Sequence, residues 1–245
     1  NRWLRGHESA PVRAIWRALW DHALPIFRET PRVALLPNDR VTRVATTPVS
    51  HAFTRTLDAL HITDLPTLYY RRGGDAHLRI FRTAPPTIFA SGEFAADEPS
   101  MRFELGRHIL LSRPDHILLA TLDATRAQNV LDAVRAAFGP ADSNEPIERD
   151  AAAIASELWG TIPSRVQAEM REIIVSTSPW PDASEARTTT VRAGDRAGLI
   201  ACGDLGLAIR VLAGRVQSEQ GLEAAMRVER VASLVRFAFS ELAQR

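Results

Sequence analysis

The stretch Thr87-Ile88-Phe89-Ala90-Ser91, followed by Met101-Arg102-Phe103-Glu104-Leu105-Gly106-Arg107-His108-Ile109-Leu110-Leu111-Ser112-Arg113-Pro114-Asp115-His116, decides how the chain reads. The first part is a short β-branched and aromatic run, the signature of a strand. The second is a helix with a marked beginning and end. Asp97 supplies an N-cap, Glu98 and Pro99 fall in the first turn, and Pro114 stops the helix after Leu111. Met101, Leu105, Ile109 and Ser112 recur on one face. A strand feeding directly into a helix with chemistry-bearing side chains is where a site is sought.

Working backwards, Thr67–Arg72 and Ala76–Arg82 are two further strand candidates joined by the turn Gly73-Gly74-Asp75, with Arg71-Arg72 at the tip of the hairpin this implies. Pro85-Pro86 breaks the chain before Thr87, so a sheet edge is expected nearby. Before the strands, a helix is expected at Ser50–Leu60, with Phe53, Leu57 and Leu60 on one side. Another is expected at Pro11–Ala23, capped by Ser9, with the stripe Val12, Ile15, Trp16, Leu19 and Trp20. Pro25, Pro31 and Pro37 punctuate an extended stretch between them.

Working forwards, helices are expected at 124–138, 150–159, 164–174, 184–202, 205–213 and 222–243. In the last, Val228, Val231, Val235, Phe239 and Leu242 form the apolar face expected to be buried. Gly203-Asp204-Leu205-Gly206 is a helix stop and restart. The loops 139–148 and 178–184 are the candidate linkers, and Trp180 between Pro179 and Pro181 is either an exposed interaction anchor or a cover for the core. The order is α+β: a small antiparallel or mixed sheet beside a mostly helical body. Residues 1–48 read as an N-terminal helix and extended linker, 49–215 as the α+β domain, and 216–245 as a C-terminal helix packed on it.

Composition narrows the function. The 245 residues carry 30 basic and 29 acidic side chains, a formal net charge of +1, so a phosphate-rich polymer is an unsuitable partner and no nucleic-acid role is expected. All 30 basic residues are arginine, a bias of composition that leaves individual guanidinium groups to be weighed singly. At 45% apolar, the chain can bury a core without disulfides, and the single Cys202 excludes a disulfide framework or a cysteine-rich zinc site. Cys202 itself reads as a small buried hydrophobe. No apolar run reaches the roughly 18 residues of a membrane span, so a cytoplasmic location without membrane insertion is expected. The opening at Asn1, without Met or a signal-peptide pattern, is expected of a piece of a longer protein.

No G-x-S-x-G, Walker A loop or G-x-G-x-x-G follows a strand, and no two histidines have the i, i+4 spacing that grips a metal from one helix. The strand and helix quoted first, together with Val191-Arg192-Ala193-Gly194-Asp195-Arg196-Ala197-Gly198-Leu199 far downstream, nevertheless resemble the minimal gluzincin metallopeptidases, the class that includes the CAAX prenyl proteases. That family has an edge strand, a helix reading about L-A-H-E-L-G-H…H, and a later helix reading E-x-x-A-D-R-x-A. The resemblance covers about residues 50–213.

Laying Leu105–Leu111 on the first motif puts Arg107 and Leu111 on the two ligand histidines, His108 on the catalytic glutamate, and His116 on the trailing histidine. Val191 takes the place of the third ligand, while Asp195 and Arg196 match the second motif. A register shifted by four keeps Glu104 as the glutamate but puts Phe103 and Arg107 on the histidines. Neither register leaves a metal site, because zinc needs three neutral or anionic donors at about 2 Å and a guanidinium is none. No cofactor is expected.

The resemblance therefore implies a pseudopeptidase module with a zincin-like fold, serving as a scaffold or protein-interaction domain. It is also similar to helix-rich bacterial proteins in which such a domain follows tetratricopeptide repeats, which implies a protein partner and helical repeats upstream. Two other readings use the same residues. One is a metal-independent hydrolase or transferase relying on His108, Asp195 and Glu104. The other is a small-anion or peptide sensor gripping its ligand through Arg107 and Arg196. Arg107 could instead pair with Asp195, placing a charge where the family places its metal, or simply face solvent. Gly194 and Gly198, four apart, let another helix approach closely.

Overall fold

The computed structural model describes residues 10–140, 147–218 and 223–242. The linker expected at 139–148 and the capping Ser9 fall largely outside these residues. In chain order the elements are α1 (Ala10–Phe27), α2 (Pro48–Leu60), β1 (Thr67–Arg71), β2 (His77–Phe81), β3 (Thr87–Ser91), α3 (Glu98–Leu111), α4 (Ile117–Thr121) and α5 (Ala124–Phe138). Then come α6 (Arg149–Thr161), α7 (Ser164–Ser176), α8 (Ala183–Cys202), α9 (Leu205–Ser218) and α10 (Glu223–Leu242). The chain is α+β, mostly helical with one small mixed sheet.

Aspartates set the helix starts. Asp97, Asp123, Asp182 and Asp204 each accept a hydrogen bond from a backbone N–H of the first turn, at 2.6–2.9 Å. Each side chain satisfies a donor that has no intrahelical partner. Gly203 ends α8 with a positive φ of 72°, a conformation open to glycine, and α9 begins two residues later. The stop and restart read from the sequence are thus both present. α1 continues past the expected end at Ala23, where the backbone leaves helical geometry, and runs through Pro25 to Phe27. The short α4 was not anticipated; five residues are too few to show periodicity.

The sheet corrects the hairpin. β1 and β2 are not neighbours: the order is β1-β3-β2, with β3 parallel to β1 and antiparallel to β2. β3 is buried at all five positions, as a central strand covered on both faces must be, whereas β1 and β2 keep exposed or half-buried positions. The turn with Gly73 (φ 95°) and Gly74 (φ 83°) therefore spans two strand spacings, about 10 Å, rather than one. Arg71 is not free at a tip either. It donates to Asp39 at 2.7 and 3.0 Å and to the Ala34 carbonyl at 2.6 Å, which pins the 32–40 segment beside β1.

The main core draws on α1 through α8. Trp16, Leu19, Leu57, Leu68, Ile88, Leu105, Leu118, Val134 and Ala197 all belong to one buried cluster. α1 contributes its expected stripe and packs on α4, α6 and α7, so the first helix shares the core of the α+β body. A second, smaller cluster joins Phe103, Leu199, Cys202, Leu207, Ala208, Leu212, Leu234 and Ala238 under α9 and α10. The buried face of α10 differs from the expected one. Leu234 and Ala238 point inward, Val231 and Val235 are half-buried, and Phe239 is 62% exposed. Val228 and Leu242 lie outside the side chains described.

Among the described residues no helix is long and apolar enough to cross a membrane.

Candidate functional site

The two motif-bearing helices, α3 and α8, make the most extensive helix pairing in the molecule. Three glycines let them approach. A Cβ on Gly198 would stand 2.8 Å from the Phe103 carbonyl oxygen and from Arg107 Cγ. One on Gly106 would stand 2.7 Å from Ala201 Cβ, and one on Gly194 3.1 Å from Leu111. Gly194 and Gly198 thus have the close-packing role their spacing suggests, and Gly106 supplies the matching gap on α3.

This contact forces polar side chains into the interior. α3 has no solvent face along its last two turns: Glu104, Arg107 and His108 are buried along with Phe103, Leu105, Ile109, Leu110 and Leu111. Across the contact, Asp195 is 1% exposed. Buried charges are held by pairing and hydrogen bonding, and Arg107 and Asp195 meet that requirement through each other. Arg107 Nε donates to Asp195 Oδ1 at 2.8 Å. Arg107 Nη1 lies 3.6 Å from Glu104 Oε2, and its guanidinium stands 6.0 Å from the centre of the Phe103 ring. The reading that leaves Arg107 on the surface is therefore incorrect.

A third helix closes the cluster. Arg230, on α10, donates through Nε to Asp195 Oδ2 and through Nη2 to Oδ1, both at 2.9 Å. This two-pronged fork is the geometry in which a guanidinium holds a carboxylate best. One carboxylate from α8 thus ties a guanidinium from α3 to another from α10. Arg230 was not among the candidates read from the sequence. It lies 35 positions after Asp195, on a helix whose valines suggested a different buried face.

The remaining candidates occupy defined places. His108 Nδ1 faces the Glu104 carbonyl oxygen at 2.8 Å, and Glu104 Oε2 at 3.9 Å. Leu111 packs against Gly194 of α8. Val191 lies one helical turn before Asp195 on α8. The Arg196 guanidinium lies over the Phe237 ring of α10 at 5.2 Å. Burial and the neighbouring Arg192 push its pKa below the ordinary value for arginine. Arg192 pairs with Glu229 of α10. Trp180 is half-buried and packs against the main core. Cys202 is buried, and burial raises its thiol pKa. His116 sits deep at the start of α4, with Nδ1 3.4 Å from the Thr190 hydroxyl, and burial holds its pKa below the ordinary imidazole value.

The donor set decides what this arrangement can hold. A zinc ion at the α3–α8 contact would meet two guanidinium groups converging on its one anionic neighbour from α8. Guanidinium offers no lone pair to a metal and repels it. The residues present therefore do not fit the metal that the resemblance would call for. Among the described residues no group of three His, Cys, Asp or Glu side chains is gathered as a metal would need. What the arrangement does is hold three helices together through a charge cluster.

No family model matches this sequence, and no match is found among curated proteins or solved structures.

Proposed function

We propose that this chain is a metal-free, zincin-like pseudopeptidase module that acts as a scaffold or protein-interaction domain. The observation that carries the reading is the Arg107–Asp195–Arg230 cluster, which fills the α3–α8 contact with fixed charge. Both oxygens of Asp195 are engaged by arginines, so the carboxylate is poorly disposed to act as a base, and His108 directs Nδ1 to a backbone carbonyl. Neither favours the hydrolase or transferase reading. The separation of roles between Arg107, bound to Asp195, and Arg196, laid over Phe237, likewise gives no shared grip on an anion.

The test is metal content. Protein purified without chelator, in buffer containing zinc, is expected to carry no stoichiometric metal and to cleave no peptide library. One zinc per chain would overturn the proposal at once.

A further inference from the structure

We draw no further inference here: the strongest candidate, the outer edge of β2 in the small mixed sheet, carries nothing because nothing in the structure shows what covers it.

Discussion

Asp195 is the residue on which the charge cluster turns, because it is the one anion shared by two cations. Removing it leaves the buried Arg107 and the half-buried Arg230 without their common counter-charge. Removing Arg107 leaves Asp195 still forked by Arg230. The costs should therefore be unequal. Asp195→Ala is expected to destabilise the fold by about 4 kcal/mol and Arg107→Met by about 2 kcal/mol, since a broken buried pair costs most where a charge is left uncompensated. Urea unfolding of both variants checks the order; an Arg107→Met loss equal to or above that of Asp195→Ala would show that the cluster is not centred on the aspartate. The Arg107–Asp195 contact was legible because both residues sit on motif positions of one resemblance. Arg230 was not, because nothing in sequence links it to either.

At the scale of the element, the α3–α8 contact depends on glycines that the pattern of apolar residues does not reveal. A methyl on Gly198 would press on the Phe103 backbone carbonyl at 2.8 Å, and backbone cannot move aside as a side-chain tip can. Gly198→Ala is expected to cost about 3 kcal/mol through overpacking. Gly160 in α6 is the control: a Cβ there meets nothing within 4 Å. Gly160→Ala should be neutral or stabilising by up to about 1 kcal/mol, from helix propensity alone. Thermal unfolding of the two variants separates them, and a harmless Gly198→Ala would mean the helices have room to part.

Helix starts were read well because aspartate caps act locally, whereas two ends were not: α1 runs through Pro25 to Phe27 and α9 runs to Ser218. Helix faces were read less well. α3 is buried on nearly all sides in its second half, so it carries no clean apolar stripe, and the inward face of α10 includes Arg230 and Ser233 while Phe239 faces out. The strand positions were legible from local composition. Their order was not, because the insertion of β3 between β1 and β2 is a non-local pairing that the composition of each strand alone does not encode.

At the scale of the whole molecule, the response to acid follows from the polar groups the fold removes from water. His116 is buried at the junction of α3, α4 and α8, and its pKa is lowered chiefly by that burial, with Arg113 and Arg13 acting in the same sense and Asp115 opposing. The unfolded chain therefore takes up a proton at a higher pH than the folded one. Stability from keeping this imidazole neutral is present above the unfolded value of about 6.5 and is lost as pH falls toward the folded value. Asp97 acts in the same direction at lower pH, because the hydrogen bonds from Ser100 lower its pKa and are lost on protonation. Both contributions weaken on acidification. The stability of the wild type is expected to fall from pH 7 to pH 5 with a slope of up to about 1.4 kcal/mol per pH unit below about 6.5. His116→Leu should flatten this part of the profile while costing stability at pH 7 through the lost Thr190 contact. Urea midpoints at pH 7.5, 6 and 5 test it: a wild-type profile that is flat, or a slope that survives in His116→Leu, would place the acid response elsewhere in the molecule.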